Sequence, residues 1–168
     1  MIIFKDKKYE DQNMIFPEIQ VVISELELFP HQLAELINDI SIESLKNPMR
    51  DGGWTIAQNL NHLADSAIII YTRIKLILTE EHPRLKSYNS ENWANLDDAK
   101  DSDIRGTLNI ITGLYYRLTK LLYSLQKEDY KRTGYLDNVG DITIADFLKI
   151  IYNHSLDHFK IINDYLTN

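Results

Sequence analysis

Cysteine is absent from the sequence. That excludes disulfides, thiolate metal ligands and a cysteine nucleophile, so any thiol chemistry needs a thiol supplied from outside. Nowhere do about 18 apolar residues run uninterrupted, so no transmembrane helix is expected. The opening stretch MIIFKDKKYEDQ places Lys5, Lys7 and Lys8 directly behind a very short apolar patch, unlike a secretory leader, and a cytosolic location is expected. A cluster of basic residues is missing too. Against 25 Asp plus Glu stand 18 Lys plus Arg, a net charge of -7, so the electrostatic footprint of a nucleic-acid or anionic-membrane binder is lacking. There is no internal repeat and no low-complexity tract. What remains is a chain of 168 residues, 44% apolar, long enough for one domain (1–168) around a single core.

Helical periodicity is present in four segments. In the first, Ile19, Val22, Leu26, Phe29, Leu33, Leu36 and Ile40 follow steps of three and four, with a kink expected at Pro30, whose ring opposes the carbonyl of Leu26. The second follows RDGGWT, where Gly52 and Gly53 break the chain and Thr55 with Gln58 forms a capping-box signature. Its apolar line is Leu60, Leu63, Ala67, Ile70, Ile74 and Ile77. The third runs through Ile104, Leu108, Ile111, Tyr115, Leu118, Leu122 and Leu125, tolerating Gly106 and Gly113. The fourth opens at Thr143 with Asp146 as its box partner and continues through Phe147, Ile151, His154, His158, Ile161 and Tyr165, which would put two histidines on the core seam. Four such helices without a convincing alternating strand predict an all-α four-helix bundle. Residues 81–102, between the second and third helices, are too many for a simple turn and predict a crossover or lid carrying Tyr88 and Trp93. The stretch TGYLDNVGDI suits a short hairpin or paired turns.

His154 and His158 sit four residues apart, so on a helix both rings project from one side, about 6 Å apart along the axis. That spacing is necessary for a shared metal but also describes core histidines hydrogen-bonded to neighbours. A third ring is available in His62, on the line Asn59, His62, Ser66, Ile69 and Arg73 that flanks the apolar stripe of the second helix. Polar residues entering an apolar face need partners. A metal held by His62, His154 and His158 would satisfy all three rings and leave coordination positions open. His31 and His82 are expected at the surface. Asp157 lies about 100° around the helix from His158 and is expected to be solvated.

The segments RDGGWTIAQNLNHLADS, YTRIKLILTEEHPRLKSYNSENWANL and YNHSLDHF, in that order and spacing, resemble the DinB superfamily and, within it, the YfiT-like metal-dependent hydrolases, relatives of bacterial thiol S-transferases. The resemblance covers residues 17 to 166. It implies a four-helix bundle with a long crossover between the second and third helices. It also implies a divalent metal held by one histidine of the second helix and two at i, i+4 of the fourth, positions that match His62, His154 and His158; imidazole ligands suit zinc, nickel, iron and copper alike, with zinc or nickel the first expectation. The family often has a histidine where this chain has Asn61, another at Ala67, and a histidine-rich run at Ser155, Leu156 and Asp157.

These readings predict a metal-dependent enzyme acting on a small molecule. Hydrolysis is the first expectation and low-molecular-weight-thiol-dependent S-transfer (bacillithiol transferase-like) the alternative. A third reading is a non-catalytic metal-binding, stress-related module. A homodimer is compatible with all three. Asp65, one turn from His62, is the weak candidate for a catalytic acid or base, a hydrogen bond between helices being the plainer role. Arg73 lies about 16 Å along the helix from His62, where a structural salt bridge competes with anchoring of an anionic substrate. Trp54 and Trp93 could wall a pocket, and Trp93 is expected half-buried near the end of the bundle that holds His62.

Overall fold

The computed structural model describes residues 16–50 and 52–167. Residues 1–15, with Lys5, Lys7 and Lys8, lie outside the described residues, as do Asp51 and Asn168. The first long helix, α1 (Phe16–Ile37), runs uninterrupted through Pro30. It buries Ile19, Ile23, Leu26, Phe29, Leu33 and Ile37. Val22 and Leu36 are only half-buried, so the core face is centred one position further along than the expected stripe. A short helix, α2 (Ile42–Lys46), follows, capped by the Ser41 hydroxyl accepting from the Ser44 amide. Gly52 then turns the chain with φ +65, a backbone conformation that suits glycine, and brings Trp54 to the mouth of the next helix.

Helix α3 (Ile56–Thr79) begins at the expected capping box. The Thr55 amide donates to Gln58 Oε1 at 3.0 Å, and the Gln58 amide donates to Thr55 Oγ1 at 3.1 Å. Every residue of its expected apolar line is buried. Helix α6 (Arg105–Ser124) buries Ile111, Tyr115, Leu118 and Leu122, and α7 (Ile144–Thr167) starts at the second box, where the Thr143 amide donates to Asp146 Oδ2 at 2.9 Å. Along α7 the core runs through Ile144, Phe147, Leu148, Ile151, Ser155 and Ile162, whereas Ile161 is exposed. The two histidines therefore lie on a half-buried strip beside the seam rather than on it. A small buried hydroxyl, Ser155, takes the seam position next to them, with its oxygen 2.7 Å from the buried Tyr115 hydroxyl.

The four long helices form the bundle. Helices α1 and α3 each pack against both α6 and α7, which leaves α1 diagonal to α3 and α6 diagonal to α7. Their apolar faces meet in one hydrophobic core. The crossover from α3 to α6 is ordered into a short strand, β1 (Arg84–Leu85), and two single-turn helices, α4 (Ser90–Ala94) and α5 (Asp97–Lys100). Gln58 Nε2 donates to the Ala94 carbonyl at 2.7 Å and Asn61 Nδ2 to the Ala99 carbonyl at 3.0 Å, which ties the crossover down onto α3. The expected hairpin is present as β2 (Thr133–Leu136) and β3 (Gly140–Thr143), paired antiparallel, and β1 adds to β2 in parallel. A three-stranded sheet thus accompanies the helices. Two-residue β1 is too short to register as alternation in sequence. Gly134 suits the close junction: a Cβ there would stand a tight 3.0 Å from Leu85 Cδ1 and from the Pro83 carbonyl. No helix among the described residues is long and apolar enough to cross a membrane.

Candidate metal centre

Packing of α3 against α7 brings His62 to face His154 and His158. Among the described residues these three form the group able to hold a metal ion, with one ring nitrogen of each lying within 4.8 Å of the others. His62 Nε2 and His154 Nε2 are 2.9 Å apart, and the ring centroids of the three pairs are separated by 4.5 to 5.0 Å. His62 is buried, while His154 and His158 are half-buried and keep some contact with solvent.

Charge follows from burial. Desolvation in the first place and the neighbouring His158 in the second hold the His62 imidazole down at about 3. His154 is pushed well below the usual histidine range by burial and by the other two rings, and burial holds His158 at about 4. All three rings are neutral near pH 7, the form that offers a lone pair to a cation. The tautomer of His158 is set by a neighbour. Its Nδ1–H donates to Asn59 Oδ1 at 2.7 Å, and Asn59 is held in turn by donating through Nδ2 to the Thr55 carbonyl at 2.8 Å. Nε2 of His158 is thereby left as the lone-pair nitrogen, an arrangement that orients ligands at metal sites generally.

An aromatic and polar rim surrounds the rings. The Trp54 indole lies edge-on to His62 at 4.9 Å and stacks over His158 at 6.4 Å, while its Nε1–H reaches Glu91 Oε1 on the crossover at 3.4 Å. Ser66 Oγ is 3.4 Å from His62 Nε2 and 2.9 Å from the Tyr88 hydroxyl. Half-buried Trp93 packs on Tyr88 at 4.7 Å between centroids, so the crossover does cover the His62 end of the bundle, with Tyr88 as its innermost ring.

Other expected residues take different places. Asp65 is half-buried, and burial, followed by the charge of Asp98, pushes its carboxyl up to about 6. It bonds none of the three rings; the orienting role considered for it belongs to Asn59. Arg73 has no carboxylate partner among the described residues, against the expected salt bridge. Its Nη2 donates to the Lys86 carbonyl, and its guanidinium sits 6.0 Å from the Tyr88 ring and 5.8 Å from that of Phe147. Asn61 bonds none of the rings and anchors the crossover, donating to the Ala99 carbonyl and accepting from the Thr107 hydroxyl. His31 and His82 are exposed, next to Glu35 at 3.5 Å and Asp141 at 2.9 Å, and Asp157 is exposed as well. Asn59 and Ser66, both on the polar strip of the sequence, take roles that the sequence expectations do not include. The signal was there, because polar residues one turn either side of a buried histidine are positioned to bond its ring or a facing one.

Fold and cluster together define a helical-bundle protein with three facing imidazoles able to hold a metal ion. The chain belongs to the DinB superfamily, matching it over residues 25–162. A Bacillus cereus (strain G9842) protein bearing the name "Putative metal-dependent hydrolase" is 36% identical over 140 residues, 83% of this chain and 80% of that one. A Bacillus anthracis (strain A0248) protein of the same name matches with the same identity and coverage. Among solved structures, YfiT from Bacillus subtilis, described as a probable metal-dependent hydrolase with an unusual four-helix bundle topology, superposes with a TM-score of 0.88. It is 33% identical and the match covers 92% of this chain and 89% of YfiT.

Proposed function

We propose that this chain is a cytosolic metal-dependent hydrolase of a small-molecule substrate, with His62, His154 and His158 holding a divalent ion, zinc or nickel. The observation that carries the reading is the convergence of three neutral imidazoles, two of them only half-buried. The donor set fits such an ion, since imidazole nitrogens suit borderline first-row metals. When bound, the ion supplies Lewis acidity toward a carbonyl and lowers the pKa of water toward ~7. The names of the relatives support the same reading.

The protein's own groups divide the remaining work. Asn59 fixes His158, Trp54 packs against His62 and His158, and the crossover covers the Tyr88 side of the site. Asp65, with its carboxyl near 6, is the group whose protonation changes close to neutral pH, and it is the acid or base of this reading. Elemental analysis of protein purified without an affinity tag should find about one zinc or nickel per chain, and the loaded protein should hydrolyse members of a panel of activated esters and amides. Turnover only when a low-molecular-weight thiol and an electrophile are both supplied would replace hydrolase by S-transferase. No bound metal, and none taken up from solution, would remove the proposal.

A further inference from the structure

We infer that Arg73 and Tyr88 form an anion subsite beside the three histidines, and that the substrate carries a carboxylate. The inference rests on the small-molecule site proposed above. Arg73 follows Asn59, His62 and Ser66 along one face of α3, and helical side chains slope toward the N-terminus, so its guanidinium is directed at the ground covered by the crossover. It arrives at Tyr88, 6.0 Å from the ring centroid, and the far end of that ring reaches Ser66, which touches His62. The guanidinium is thus linked to the cluster through the Tyr88 ring, its hydroxyl and the Ser66 hydroxyl.

The guanidinium is uncompensated. It has five N–H donors, of which one is taken by the Lys86 carbonyl, and no carboxylate among the described residues lies within ion-pair distance. Arg84 and Arg105, by contrast, pair with Asp137 and Asp103. No buried side-chain nitrogen or oxygen of the described residues is left without a partner, so the remaining donors of Arg73 reach solvent-accessible space rather than a sealed pocket. Burial lowers its pKa, yet it stays charged at any physiological pH. Half-burial between the Tyr88 and Phe147 rings removes much of its water, which strengthens its attraction for an anion and restricts the side chain in advance. The planar fork can take two oxygens of a carboxylate or of a phosphate, but its single positive charge balances a carboxylate and leaves a phosphate dianion half-neutralised. The Tyr88 hydroxyl, between Arg73 and the histidines, is placed to touch the part of the molecule that spans the two.

The experiment uses acetate as the probe, titrated at constant ionic strength into metal-free and zinc-loaded full-length protein. NMR follows the Nε–H signals of the arginines, the Trp93 indole and the histidine rings. Expected is a saturable shift of the Arg73 signal in both forms, with Arg84 and Arg105 unmoved, and weakening by roughly tenfold in Arg73→Lys, which keeps the charge but loses the fork. Tyr88→Phe should leave the Arg73 shift in place and reduce affinity for longer dicarboxylates such as succinate. The inference is overturned if the Arg73 signal stays still, if all arginines shift alike, or if acetate perturbs the histidine rings of the zinc form alone. Failure of the metal proposal reads differently, since the histidine signals would then not respond to zinc while Arg73 still responds to acetate.

Discussion

Asn59 acts on the site through a single hydrogen bond. Removing its side-chain acceptor in Asn59→Ala frees the His158 ring to rotate or switch tautomer. Metal affinity, measured by competition with a chelator, should fall roughly 10–100-fold with the helix content intact. His62→Ala and His154→Ala should each lose bound metal altogether, while His31→Ala and His82→Ala keep it; unchanged metal content in either of the first pair would remove the site. Protonation gives a second test at this scale. The folded pKa values of the three rings are lowered, so their contribution to the stability of metal-free protein is fully present above the unfolded value of 6.5 and is lost as pH falls toward about 4 and then about 3. Melting temperature of the metal-free protein and zinc occupancy of the loaded protein should therefore both decline below pH ~6.5. Occupancy that stays level down to pH ~4.5 would argue against three imidazole ligands. Asp65 has the opposite sign. Its raised carboxyl favours the folded state below the unfolded value of 3.8, and that advantage is lost as pH rises through about 6. Asp65→Asn should thus leave stability at pH 7 equal or higher while removing the turnover limb near pH 6. A stable variant with an unaltered pH profile would leave Asp65 with a structural role only.

At the scale of elements, the crossover is held by a few side chains of α3. Asn61 joins α3, the α5 turn and Thr107 of α6, so Asn61→Ala leaves the Ala99 carbonyl and the Thr107 hydroxyl without their partner and should cost about 1–3 kcal/mol in denaturant unfolding. Amide exchange should speed up across residues 90–102 before it does in the long helices, because that segment consists of single turns tied to α3 by a few side chains. Trp93 packs on Tyr88 rather than on the histidines. Trp93→Ala should lower turnover more than metal content, since its loss releases Tyr88 and leaves the rings where the helices put them. Equal loss of metal and turnover would show instead that the crossover supports the ligands themselves.

For the whole molecule, the decisive question is whether the bundle needs its metal. The hydrophobic core is continuous through α1, α3, α6 and α7 and does not depend on the cluster, which sits to one side of the seam. Removing the ion with a chelator should therefore preserve the helical circular-dichroism signal while lowering the melting temperature, the displacement expected when a ligand binds only the folded state. Collapse of the helical signal on metal removal would mark the centre as a structural staple rather than an enzyme site.

Helix positions, both capping boxes and the three histidines were legible in the sequence because each is a local matter: periodicity of 3.6 and a Thr three residues before Gln or Asp need no knowledge of the rest of the chain. The exact face was less legible, since a shift of one position on a helix rotates it by about 100°, and packing chose Ile23 and Ile37 over Val22 and Leu36, and Ile162 over Ile161. The convergence of the rings was beyond reach of periodicity alone. His62 meets His154 across 92 residues and Asn59 meets His158 across 99, contacts that exist only because α3 lies against α7 in the bundle. The crossover's path had the same character: β1 pairs with β2 some 50 residues away through a close junction at Gly134, and that pairing delivers Tyr88 to Ser66 and Arg73. Sequence determined which residues were able to act, through local stereochemistry. Tertiary structure decided which of them act together, because contacts distant in sequence depend on how the helices pack.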